Sequence, residues 1–165
     1  GLSGVRGQTF EAIEGGQVVS ATLQIARNSA HSEPLIISLF EVDGLSRPTG
    51  DPLMSQEFPA ETISEDGGAP TTLFAFDSGA TLVPGQSYAL TFRPRNLDPD
   101  VSLYTVRGGV NDGATYESGA ALRSGDEGAT WTVTPNVDWS FQVSVDAATP
   151  IVPATWGSIK AITDR

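Results

Sequence analysis

In the stretch Ser-Gly-Asp-Glu-Gly-Ala-Thr-Trp, residues 124–131, a hydroxyl, a carboxylate, a glycine and a second hydroxyl stand at alternate positions, and the run ends on Trp131. A carboxylate with neighbouring hydroxyls can hold backbone amides, a cation or a sugar, and an indole beside it offers a face to a pyranose ring. Nucleophilic catalysis of the Ser-His-Asp kind needs an imidazole. The chain has 1 histidine, His31, in the turn-like segment Arg-Asn-Ser-Ala-His-Ser-Glu-Pro, and no Gly-x-Ser-x-Gly elbow. His31 is therefore expected to be a solvent-exposed loop residue. One imidazole and no thiol leave a zinc site short of ligands. With 20 acidic residues, chance pairs at glycosidase spacing are unavoidable, so no pair stands out as an acid and base.

Calcium suits such loops better, because it takes carboxylate and carbonyl oxygens. Asn96, Asp98 and Asp100 alternate in Asn-Leu-Asp-Pro-Asp as at the start of a calcium loop, with Asn111, Asp112, Asp126 and Glu127 as further donors. The glycine and distal glutamate of an EF-hand are missing, so solvated loops are the default reading and a structural calcium ion the alternative. No other cofactor is expected. For saccharide contact the aromatic candidates are Trp131, Tyr104 and Tyr116, with Asp126 and Glu127 beside the indole; packing in a core or hairpin is the competing role of each.

Short strands must carry these loops. Gly7–Ile13 reads as a first strand, closed by Glu14-Gly15-Gly16. Val19, Ala21, Leu23 and Ile25 alternate with polar residues, the period of a half-buried strand, while Pro34–Asp43 is apolar in both phases and reads as a central strand covered on both faces. Gly44–Leu53 is a Gly/Pro loop leading into a short polar edge strand, Met54–Phe58. Thr71–Phe76 follows, and then Tyr88, Leu90 and Phe92 share one face against Ser87, Ala89, Thr91 and Arg93. Val101–Val106, Tyr116–Arg123 and Thr130–Val133 are further strands, and Trp139, Phe141, Val143 and Val145 point inward from a last one. Many short strands punctuated by 18 glycines and 11 prolines imply an all-β fold, a single β-sandwich with jelly-roll-like topology over 1–146.

Past Asp146 the composition changes. Pro150 and Pro153 make an extended spacer, and Thr155 can cap a short helix bearing Trp156, Ile159 and Ile162, so 147–165 is read as a C-terminal tail. A helix that short is marginal alone. Leu2 and Val5 at one end and Ile151, Val152, Trp156, Ile159 and Ile162 at the other have no evident home in the core, which makes them candidates for assembly with another copy; folding back on their own domain is the alternative. A formal net charge of −11, with Lys160 the only lysine, repels phosphate backbones and argues against nucleic acid as a partner. No apolar run reaches the length of a membrane span. The chain opens on Gly1 and is read as a processed or trimmed product.

The 124–131 stretch resembles the Asp-box hairpin of sialidases and related β-propellers. A propeller would repeat it every 40 or so residues, and no second copy exists, so a sialidase propeller is excluded. In propellers this hairpin is scaffold away from the catalytic pocket, and the same role is expected here: Asp126 bonds the turn, Gly128 bends it and Trp131 packs. A broader resemblance rests on Gly-Gln-Thr-Phe-Glu-Ala (7–12), Val-Val-Ser-Ala-Thr-Leu-Gln-Ile-Ala-Arg (18–27), the Asp-Gly-x-x-x-Pro-Thr-Gly pattern from Asp43, Gly-Ala-Thr-Leu-Val-Pro-Gly-Gln-Ser-Tyr-Ala-Leu-Thr-Phe (79–92), the 124–131 hairpin and Trp-Ser-Phe-Gln-Val-Ser-Val (139–145). Together these resemble the choice-of-anchor R type domain of bacterial secreted and surface proteins. The resemblance implies an extracellular, non-catalytic β-sandwich with no catalytic residues to carry over. The expected partners are the chain itself or cell-envelope components, with glycans as the alternative; the acidic inserts near 61–66 and 96–100 and the Trp-Gly-Ser-Ile-Lys ending depart from simple members.

Overall fold

The structure is a computed structural model that describes residues 4–28, 31–65, 67–97, 103–110, 119–135 and 137–146. Within them the chain forms strands β1 (Val5–Glu11), β2 (Gly16–Arg27), β3 (Leu35–Val42), β4 (Pro48–Phe58), β5 (Thr71–Ala75), β6 (Thr81–Leu82), β7 (Ser87–Pro94), β8 (Tyr104–Val106), β9 (Gly108–Val110), β10 (Ala120–Ser124), β11 (Thr132–Pro135), β12 (Val137–Trp139) and β13 (Phe141–Asp146), with a 3₁₀ turn at Ala60–Thr62. The protein is an all-β sandwich of antiparallel sheets. One sheet has the order β11-β10-β1-β7-β3-β4; the other is β13-β2-β5, with β6 and β8 also pairing along the long β2. A separate β9–β12 ladder is tied to β1, where Gln8 bonds the Asp138 carboxylate and the Trp139 N–H. The chain changes sheet between β1 and β2, β2 and β3, and β4 and β5, the kind of crossing that a jelly roll uses.

Alternation decides which side chains meet. Phe10, Tyr88, Leu90, Phe92, Leu39 and Ile37 share one face of the larger sheet through the registers Phe10↔Tyr88, Leu39↔Leu90 and Ile37↔Phe92. They close on Ala21, Leu23 and Ile25 of β2 and Phe74 of β5 to form the core. Phe58 meets Phe74 edge-on, with ring centroids 4.9 Å apart, an arrangement favoured by the ring quadrupoles. Trp139, Phe141, Val143 and Val145 pack against this core while only partly buried.

Two readings change. The stretch Pro48–Leu53, expected in a loop, belongs to β4: on an edge strand a proline forfeits no ladder bond on its outward side, so Pro48 and Pro52 are tolerated. A register shift between Leu39 and Glu41 marks a bulge where this hairpin bends. Val5, expected to be an apolar terminus without a place, is 3% exposed and pairs with Ser124 as the first residue of β1. The proposed tail, 147–165, lies outside the described residues, and so does its expected helix. No helix among the described residues is long and apolar enough to cross a membrane.

Gly79 shows how tightly the second sheet is closed. A Cβ built there would run into the carbonyl of Val18, whose own N–H donates to Ala80 at 2.9 Å. Both obstacles are backbone and cannot swing away. Gly79→Ala is expected to destabilise the fold by about 1–3 kcal/mol, read as a lower midpoint in urea with an unchanged slope.

Candidate functional site

The β10–β11 hairpin is built from its own side chains. The Ser124 hydroxyl accepts from the Gly128 N–H at 2.8 Å and donates to Asp126 Oδ1 at 2.8 Å. Asp126 Oδ1 also accepts from the Thr130 N–H (2.8 Å), and Oδ2 from the Thr130 hydroxyl (2.6 Å). The Asp126 carbonyl takes the Ala129 N–H at 3.1 Å. Gly128 has φ of +97°, a left-handed conformation that costs glycine nothing, and Trp131 lies against its Cα side. The expected scaffold role is what the geometry displays. Asp126, expected as a ligand contact, is turned to the hairpin: Oδ1 takes the Ser124 hydroxyl and the Thr130 N–H, and Oδ2 the Thr130 hydroxyl.

These bonds favour the charged carboxylate. The Thr130 hydroxyl first, then the Thr130 amide and the Ser124 hydroxyl, pull Asp126 down to a pKa of about 2 from an ordinary 3.8. A depressed folded-state value means that this contribution to stability is present above the ordinary value and lost as pH falls through the folded one. Acid titration is therefore expected to loosen the hairpin between about pH 4 and pH 2, seen as a change in Trp131 fluorescence that Asp126→Asn abolishes.

Glu127 sits exposed at the hairpin tip with φ of +59°. Together with Gly128 and Trp131 it forms one wall of a groove of about 290 Å³ on the outer face of the larger sheet. Pro48, Gly50 and Pro52 of β4 and Phe40 of β3 form the opposite wall; Val5, Ser38 and Thr91 lie in the floor.

Tyr104 is corrected as a sugar-stacking candidate. It is fully buried in the core, its hydroxyl donates to the Glu33 carbonyl, and burial above all pushes its pKa up to about 12. His31 is likewise no free loop residue: its ring stands edge-on to Tyr104 at 4.9 Å, Nδ1 accepts from the Glu33 N–H at 3.1 Å, and Nε2 lies 3.1 Å from the Leu103 carbonyl. The segment folds over β8 because Tyr104 supplies an apolar surface with a polar tip. Asn96 turns to Glu33 through its backbone N–H (2.6 Å) and side-chain amide (3.1 Å). Asp98, Asp100, Asn111, Asp112 and Tyr116 lie outside the described residues, as do Leu2, Ile151, Val152, Trp156, Ile159 and Ile162. Among the described residues no three acidic or histidine side chains converge as a metal cluster.

No family model and no curated protein matches this chain.

A second concavity, larger than the groove beside Trp131, was not legible as a site in the sequence. It is a cleft of about 770 Å³ along β13, with Phe10, Ile13, Leu82, Phe141, Val143 and Val145 supplying its apolar lining. Ile13 on its rim is 83% exposed. Among the described residues β13 pairs with β2 on one side and with no strand on the other. The peptide groups can be placed by alternation. Ser140 directs its N–H to the Arg107 carbonyl and its C=O to the Gln24 N–H, both inward, so Phe141, Val143 and Val145 present theirs to the open edge.

Proposed function

We propose that this protein is a non-catalytic extracellular surface or matrix module that acts by protein contact, and that it self-assembles when the 147–165 segment of one copy lies along the β13 cleft of the next. The carrying observation is the β13 edge, unpaired among the described residues, beside an apolar cleft, since such an edge offers main-chain bonds and the lining offers pockets for alternate side chains. The described fold stops at Asp146, one residue beyond Val145 in the cleft wall. The 19 residues from there to Arg165 include Ile151, Val152, Trp156, Ile159 and Ile162. Pro150 and Pro153 lack the N–H that a strand contributes, and, three positions apart, they spoil both edges of a tight return onto the same copy. The resemblance to the choice-of-anchor R type domain supports the extracellular and non-catalytic parts of this reading.

Light scattering across a concentration series tests it on the full chain and on a chain ending at Asp146. The full chain is expected to gain mass with concentration and the shortened one to remain monomeric. Two monomers with native thermal unfolding would sink the proposal.

A further inference from the structure

The outer face of the six-stranded sheet carries a groove separate from the β13 cleft. We infer that the groove between the Trp131 hairpin and the β3–β4 hairpin binds a neutral saccharide, of about one or two pyranose rings.

The groove is a built feature and not a flat sheet face. Val5, Ser38 and Thr91 are only 3%, 8% and 4% exposed, although the second sheet packs on the opposite side of their strands. The shelter comes from two flanking hairpins. On one side the 124–131 turn, its polar groups consumed internally, holds Trp131 at the edge of the groove. On the other, the bulged β3–β4 hairpin brings Phe40, Pro48 and Pro52 over the face. Its volume of about 290 Å³ lies at the small end of ligand pockets.

The lining has the chemistry of sugar recognition. An indole at the rim can cover the C–H face of a pyranose. The floor offers hydroxyls in place of a closed apolar surface: Ser38 Oγ and Ser55 Oγ share a hydrogen bond of 2.8 Å. Two hydroxyls hold two protons and that bond uses one, so the pair retains a donor and several lone pairs for a ligand hydroxyl. At the end of the groove, Arg93 Nη1 donates to the Pro94 and Arg95 carbonyls at 3.1 and 2.7 Å. Those bonds fix the guanidinium; its Nε and Nη2 make no hydrogen bond among the described residues and can donate to ring or hydroxyl oxygens. An acidic sugar would meet Glu127 on the same rim and a net charge of −11, which selects a neutral one.

The test uses the full chain and a panel of short cello-, xylo-, manno- and chito-oligosaccharides, each titrated to a few times about 1 mM while amide and indole cross-peaks are followed by NMR. At least one panel member is expected to bind and to shift the Trp131 indole and the Ser38, Thr91 and Gly128 amides together. Trp131→Ala is expected to weaken it by about tenfold. Because that variant also removes hairpin packing, Ser55→Ala serves as the second, lying exposed on β4; it is expected to weaken binding by several fold while the protein stays folded, with a smaller fall in thermal midpoint than Trp131→Ala, since only the bond to the Ser38 hydroxyl is lost. No shift at these amides with any panel member overturns the inference, as does binding that both variants leave intact. Neither outcome touches assembly, which uses β13 on the other sheet.

Discussion

Tyr104→Ala is expected to lower the stability of the domain by about 3 to 5 kcal/mol, the range for removing a fully buried aromatic side chain. Three connections fail at once. The ring leaves the core cluster, the His31 ring loses its edge-on partner, and the Glu33 carbonyl loses the hydroxyl that caps it. Tyr104→Phe separates these effects, keeping the ring and deleting the hydroxyl, at an expected cost of about 1 kcal/mol. Alkaline titration supplies a further check. The folded-state pKa of about 12 exceeds the ordinary value of 10.0, so the contribution is complete below the ordinary value and disappears as pH climbs through the folded one. Tyrosine absorbance and unfolding should therefore report a late-titrating group in the wild type that Tyr104→Phe lacks. Equal stability of Tyr104→Ala and wild type would contradict this placement.

Val143→Pro is expected to abolish self-association while leaving the monomer folded. The amide of Val143 faces the open side of β13, so a proline there removes an outward donor and no bond to β2. The side chain is only partly buried, which limits the packing loss. Ile13→Glu is the companion: with 83% of Ile13 exposed, the fold should not register the change, whereas an apolar segment seated on the cleft rim would meet a charge. Both variants are expected to stay monomeric at concentrations where the wild type assembles. If they assemble like the wild type, the cleft is not the contact.

How much of this was legible in advance depends on what each residue responds to. The periodicity at Val19–Ile25 and Tyr88–Phe92 reports burial on one sheet face, and Ala21, Leu23, Ile25, Tyr88, Leu90 and Phe92 lie in the core; Val19 does not, because a register shift against β13 turns it outward at 40% exposed and puts Val18 in the core instead. The 124–131 hairpin was readable because its bonds join residues within the same short turn. Tyr104 and His31 were not, since their environment comes from Glu33 and Leu103, and from strands far apart in the chain. Pro48 and Pro52 concealed an edge strand, because proline signals a break everywhere except on an outward-facing edge. The grooves were hidden for a related reason: Ile13, Val143, Trp131 and Arg93 reach their neighbours only through strand order, which no local pattern encodes.

Whether the 147–165 segment of one copy occupies the β13 cleft of another can be read directly, because the chain has no cysteine of its own. Ile13→Cys is mixed, under mild oxidation, with separately prepared Ile151→Cys, Trp156→Cys or Ile159→Cys chains of different mass. A mixed disulfide between cleft and tail variants is expected, formed faster than either homodimer and suppressed by Val143→Pro in the cleft-bearing chain. Disulfides that form only when both cysteines reside in one chain, with none across the mixture, would place the tail on its own domain and contradict assembly through the β13 cleft.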